Sequence, residues 1–161
     1  MKAGRLAALA ILAAGVVAAQ STPPKQKLSA SAIRIEMIDA GDVAIPAEFR
    51  YAVYERLVDR VRGSGVFQKV YRTGDHSADS VADLVTLRTK VEAFKEGSQT
   101  KRELVTVLGA TKVDITATIT GRDGHTLMDQ KITGRVRFFG ENLGVTNDLA
   151  KRITKLVQTS F

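Results

Sequence analysis

The sequence predicts an α+β fold, a two-layer sandwich in which a largely antiparallel sheet of about five strands carries two helices on one face. Three observations predict it. Apolar and polar residues alternate in several separate stretches, the period of half-buried strands. Two other stretches, near 46–62 and 145–158, place apolar residues at helical spacing along one arc. Asp123-Gly124 stands between two alternating stretches, where a tight hairpin turn is wanted.

The first strand is expected from Ala32 to Asp39, where Ile33, Ile35 and Met37 alternate with Arg34 and Glu36. Pro46 suits the first helical position, and Glu48 in the first turn favours the positive end of the helix dipole. That helix runs to about Arg62, with Val53, Tyr54, Leu57, Val58 and Val61 on one arc and Glu55, Arg56, Asp59, Arg60 and Arg62 on the other. Gly63-Ser64-Gly65 ends it. Strands follow at Val66–Arg72 and Ala82–Phe94, the second with Val85, Leu87, Val91 and Ala93 on its apolar side. Lys95–Arg102, KEGSQTKR, makes a basic hairpin connection. From Glu103 to Thr120 the pattern is again β, with Val113, Ile115, Ala117 and Ile119 on one face. Leu127–Phe139 returns as a strand in which Gly134 suggests a bulge or bend. The closing helix, near Val145–Gln158, has Leu149, Ile153, Leu156 and Val157 as its stripe, Lys151, Lys155 and Gln158 on its wet side, and Thr146 as an N-cap.

Domain organisation follows from the ends. Lys2 and Arg5 precede an uninterrupted apolar run, Leu6–Ala19, which is too short to cross a bilayer and finishes in small residues. The expectation is a signal peptide over 1–19 cut before Gln20, a flexible leader over 20–31 and a single α+β domain over 32–161. The exported chain would be periplasmic or secreted, with no transmembrane segment. There is no cysteine, which removes disulfides, thiol nucleophiles, thiolate metal sites and lipid attachment through an N-terminal Cys. The net charge of +7 falls to +5 once Lys2 and Arg5 are lost, and a basic exported protein attracts anionic envelope components.

The two histidines lie in Gly74-Asp75-His76 and Asp123-Gly124-His125. With Asp75, Asp79 and Asp123 they could assemble a metal site only if two distant loops converged, since zinc takes three or four protein ligands. They read as turn residues, so no metal, cofactor or catalytic residue is expected. No Gly-x-Ser-x-Gly elbow surrounds a serine, no Gly-rich phosphate loop is present, and the carboxylates are scattered singly. Gly134–Gly140, GRVRFFG, loosely matches a single-strand RNA platform, with Arg135, Arg137 and Phe139 on one face. Export argues against nucleic acid, and Val136 and Phe138 read as core.

Several stretches resemble the bacterial family named Domain of Unknown Function 4410. They are Gly65-Val66-Phe67-Gln68-Lys69-Val70, Ala82-Asp83-Leu84-Val85, the Gly97–Leu108 connection, the Asp123-Gly124 turn and Ala150-Lys151-Arg152-Ile153. The chain departs from the family in lacking a lipid-attachment Cys and in retaining its glycine-rich strand only as Gly109-Ala110. The architecture is also similar to small envelope domains that sit in larger assemblies, such as the N-terminal domain of the Tol-system periplasmic protein. The family has no established activity, so the resemblance implies a fold and a compartment and no catalytic residues.

The function expected is a non-enzymatic module that binds another cell-envelope component, a protein or an anionic component of the envelope. The alternative is a binder of a small ligand or anionic envelope polymer in a cleft between sheet and helices, and a hydrolase comes third. The candidate interaction residues are Lys95, Lys101 and Arg102 at the basic connection, with Arg135 and Arg137 on a neighbouring strand.

Overall fold

The computed structural model describes residues 27–95, 111–136 and 143–161, with the side chains of Val136 and Leu143 outside that description. Strand β1 is Ala32–Ile35, helix α1 is Ala47–Gly63 and strand β2 is Lys69–Arg72. A short 3₁₀ turn over His76–Ser80 leads to β3, Leu84–Lys95. Then come β4 at Thr111–Thr120, β5 at Thr126–Val136 and the final helix α2 at Leu143–Ser160. The five strands form one sheet in the order β2-β1-β3-β4-β5. Its long ladders, β3 with β4 and β4 with β5, are antiparallel. The predicted α+β class and strand–helix order hold. The sequence did not disclose that β1 sits between β2 and β3 and runs parallel to both. The helical crossover α1 between β1 and β2 returns the chain to the same end of the sheet, which makes that pair parallel.

Both helices lie on one face. From α1, Phe49, Val53, Tyr54, Leu57, Val58 and Val61 are buried, and from α2, Val145, Leu149, Ala150, Ile153 and Val157. They meet Ile33 and Ile35 of β1, Val85, Leu87 and Val91 of β3, and Val113, Ile115, Ala117 and Ile119 of β4 in one core. Each fully buried aliphatic side chain contributes about 1.5–3 kcal/mol. Pro46 stands just outside α1 as its N-cap, with no side-chain cap, and Glu48 occupies the first turn. At the other end Gly65 takes φ +68, a left-handed conformation that glycine accepts at little cost. No helix among the described residues is long and apolar enough to cross a membrane.

Three local expectations are corrected. Ala93 does not join the apolar side of β3: the register against β4 shifts between Val91 and Ala93, so Ala93 pairs with Asp114 on the outer face. Phe94 turns inward instead, 5.4 Å from the ring of Phe49. Gly134 shows no bulge; it continues the β5 ladder opposite Val113. Its missing side chain makes room for α2, because a Cβ there would stand 2.5 Å from Leu149 Cγ and 2.6 Å from Cδ2. Thr146 is not an N-cap, since α2 begins at Leu143 and Thr146 is buried within it.

The outer face of the sheet is partly covered. The 3₁₀ segment folds back over β2, β1 and β3, and Ala78 joins Ala32, Tyr71 and Leu84 in a second small apolar cluster. Polar anchors hold it in place: Ser31 N donates to Asp83 at 2.8 Å, Arg34 pairs with Asp79, and the Asp75 carboxylate accepts from Ser77 N at 3.0 Å. Beyond this segment, the outer face of β3, β4 and β5 is polar and is covered by no other element among the described residues.

Candidate functional site

Register on the open face decides which charges meet. Lys95 is the Cα partner of Lys112, and Lys112 in turn is the partner of Arg135. Three cations therefore form one row across three adjacent strands, at the end of the sheet where β3 stops and β4 starts. Neighbouring strands are about 4.8 Å apart, so like charges face one another directly, an arrangement that destabilises a sheet. Sequence reasoning named Lys95 and Arg135, and the fold brings them together. It missed Lys112, which completes the row. Lys101, Arg102 and Arg137 lie outside the described residues.

Among the described residues, one carboxylate pairs with a side chain of the row. Asp114, two residues along β4, accepts from Lys112 Nζ at 2.6 Å and from Thr133 Oγ1 at 2.5 Å. The Lys112 contact, then the Thr133 hydroxyl, hold its carboxyl below the ordinary aspartate range, with Arg135 adding to the effect at longer range. Asp114 therefore stays charged and offsets about one of the three positive charges. At the sheet's edge, Asp148 of α2 accepts from the backbone N–H of Arg135 at 3.4 Å and from Arg152 at 2.8 Å. The row is thus fixed by backbone pairing on a rigid sheet, while its ammonium and guanidinium groups remain at the surface.

The two histidine loops do approach each other, but a cation joins them. Arg122, in the turn between β4 and β5, donates to the backbone carbonyls of Val81 and of Asp79, the latter at 2.8 Å. In that turn Gly124 has φ +82 and donates to Gly121 O at 3.0 Å, while the Asp123 carboxylate accepts from His125 N. These are the turn contacts predicted for Asp123-Gly124. His76, with its side chain 93% exposed, has Nδ1 3.4 Å from Asp79, whose carboxyl is held low first by Arg34 and then by His76. No group of three His, Asp or Glu side chains placed to hold a metal ion occurs among the described residues.

No protein-family model matches the chain, and no curated protein matches it. Solved structures do. The chain is similar to the PelC dodecamer from Paraburkholderia phytofirmans at TM-score 0.60 and 13% identity, covering 81% of this chain and 92% of that one. It is similar also to protein XCC0632 from Xanthomonas campestris, of the family DUF330, at TM-score 0.54 and 15% identity, covering 85% and 88% respectively. At such identities the likeness establishes the shared fold.

Proposed function

We propose that the protein is an exported, non-enzymatic interaction module of the cell envelope, related to the Domain of Unknown Function 4410 proteins, whose open sheet face engages an acidic partner. The observation that carries this reading is the row Lys95–Lys112–Arg135, in which like charges are set directly opposite one another on neighbouring strands. Such a row costs stability in the isolated protein and gains it back when an anionic surface docks. The charged start and the Leu6–Ala19 run support export, and the net charge of +7 supports attraction to anionic components. A related fold that assembles is the PelC dodecamer. Assembly is thus compatible with this architecture.

The test has two arms. Intact mass of the protein recovered from the envelope should correspond to a chain starting at Gln20. Affinity capture from envelope extract should recover one protein with the wild type, lose it with Lys95→Glu/Arg135→Glu, and show the loss most strongly at low salt. Recovery of the chain from the cytoplasm with Met1–Ala19 attached would overturn export, and equal capture by the variant would overturn the row.

A second reading, a binder of small ligands between sheet and helix, is favoured by a cleft of about 400 Å³ between β5 and the end of α2. Leu28, Leu127, Met128 and Leu156 supply its apolar wall, with Asp129 and Ser160 among its polar groups. That volume suits a small molecule. A thermal-shift screen that yields a stoichiometric ligand, lost on Met128→Glu, would favour this reading over the first.

A further inference from the structure

On the opposite face of the molecule, the seam between α1 and α2 is not closed. Gly63 and Ser64 at the end of α1 are small, and a groove of about 570 Å³ opens between them, Arg60, and the Lys151, Thr154, Lys155 and Gln158 side of α2. A Cβ added at Gly63 would meet no atom within 4 Å. Among the described lining residues three are cations and none is a carboxylate.

Glu48 stands in the first turn of α1, at the far end of that helix from the groove, and the other acidic residues of the two helices are engaged elsewhere. Glu55 holds Arg72 at 2.5 Å, Asp59 holds Arg62 at 3.5 Å, and Asp148 holds Arg152 at 2.8 Å. None of Arg60, Lys151 or Lys155 pairs with a carboxylate among the described residues, and Arg60 Nη2 donates instead to Asn147 Oδ1 at 2.7 Å. The helix dipole accounts for a cation near the end of α1, such as Arg60. It does not account for Lys151, which stands two turns before the end of α2.

We propose that this groove is a second binding site and takes an extended acidic polypeptide segment. Preformed donors for a compact anion are lacking. The N–H groups of Ser64 and Gly65 are given to Val61 O and Arg62 O, and the hydroxyls of Ser64 and Thr154 to Val61 O and Ala150 O. Positive charge here comes from long side chains distributed along a trench, which suits a chain of charges better than a single phosphate. Lys151 and Lys155 are one helical turn apart, a rise of about 6 Å. Alternate residues of an extended peptide project to the same side at about 6.6 Å, so Asp or Glu at every second position keeps step with them. Among its described lining residues the groove presents no large apolar side chain for insertion into a bilayer, which sets it apart from a membrane-docking surface.

A fluorescently labelled peptide of about ten residues alternating Glu and Ser tests the site by anisotropy against the protein recovered from the envelope. The variants are Lys151→Glu/Lys155→Glu, which reverses the charge, Gly63→Gln, which grows a neutral side chain into the groove, and Lys95→Glu/Arg135→Glu on the other face. At low salt the charge reversal should weaken binding by roughly tenfold or more, an effect that fades when added salt shortens the screening length to about 3 Å. Gly63→Gln should weaken binding at every salt concentration, and the sheet-face variant should bind within about twofold of wild type. Wild-type affinity in both groove variants would overturn the site, as would capture by vesicles of anionic phospholipid with no binding of the peptide. Loss of binding only in the sheet-face variant would overturn the groove while leaving the proposed function standing.

Discussion

Gly134→Ala isolates the closest approach between α2 and the sheet. The added Cβ would lie 2.5 Å from Leu149 Cγ and 2.6 Å from Cδ2, well inside contact distance. Leu149 is 1% exposed, and Cγ is the branch point of its side chain, so the clash cannot be relieved by swinging a terminal methyl into solvent. Either the Leu149 rotamer or the helix must move, and overpacking of this kind costs about 1–3 kcal/mol. Against that, Ala is favoured over Gly inside a strand by about 0.5–1 kcal/mol, leaving a net effect between about zero and a loss of about 2.5 kcal/mol. The sign should reverse in a Leu149→Ala background. That change alone removes a buried leucine at a cost of about 2–5 kcal/mol, but it also removes the atoms the new Cβ would meet. There Gly134→Ala should stabilise by about 0.5–1 kcal/mol through the strand preference, with any cavity filling added to it. Urea unfolding of the four proteins, analysed as a double-mutant cycle, measures the coupling, expected at about 1–3 kcal/mol. If Gly134→Ala costs the same in both backgrounds, or stabilises the wild type, Gly134 is not a packing gap for α2.

Three further outcomes are expected. Lys95→Gln should raise the thermal midpoint at low salt by relieving repulsion from Lys112, with the gain vanishing as salt is added; a lower midpoint at low salt would show that the row is not repulsive. Stability should hold from neutral pH down to the ordinary carboxylate range and fall below about pH 4, because Glu55, Asp79 and Asp114 have lowered pKa values held first by Arg72, Arg34 and Lys112. In that window the unfolded chain binds protons that the folded chain refuses, so a midpoint that is level from pH 5 to about pH 2 would refute the assignment. Arg122→Ala should speed amide exchange at Ala78 and Val81 while leaving β4 protected, since it removes the contacts that tie the 3₁₀ segment to the β4–β5 turn; unchanged exchange would show that Ser31 and Arg34 hold the segment alone.

What the sequence disclosed follows the physics of each feature. Both helical stripes were legible because a surface helix repeats its apolar face over several turns, and every residue of the α1 arc is buried. Alternation likewise assigned faces along β4 and most of β3. It failed at Ala93 because one inserted residue, Glu92, changes the side of everything after it, and composition carries no mark of the insertion. Gly134 was noticed, but a glycine that makes room for a neighbour looks in sequence like one that bends a strand. The cation row was half legible. Counting eleven residues outward from Asp123 and Gly124 arrives at Lys112 and Arg135, which do pair, so the hairpin rule alone could have found Lys112.

No such count links β3 to β4, whose connection is long and whose ladder is shifted, so Lys95 could be placed on a face but not in a row. The groove between the helices was hidden for a different reason. Lys151, Lys155 and Gln158 were correctly read as the wet side of α2, and Arg60 as the wet side of α1, but helical periodicity sets faces around one axis and is silent on how two axes meet. Only the packed pair shows that these two wet sides share a seam, that Gly63 leaves it open, and that the carboxylates which would neutralise it are turned to other partners. A charge that looks like ordinary solvation along one helix becomes a recognition surface when a second helix places its own cation across the gap.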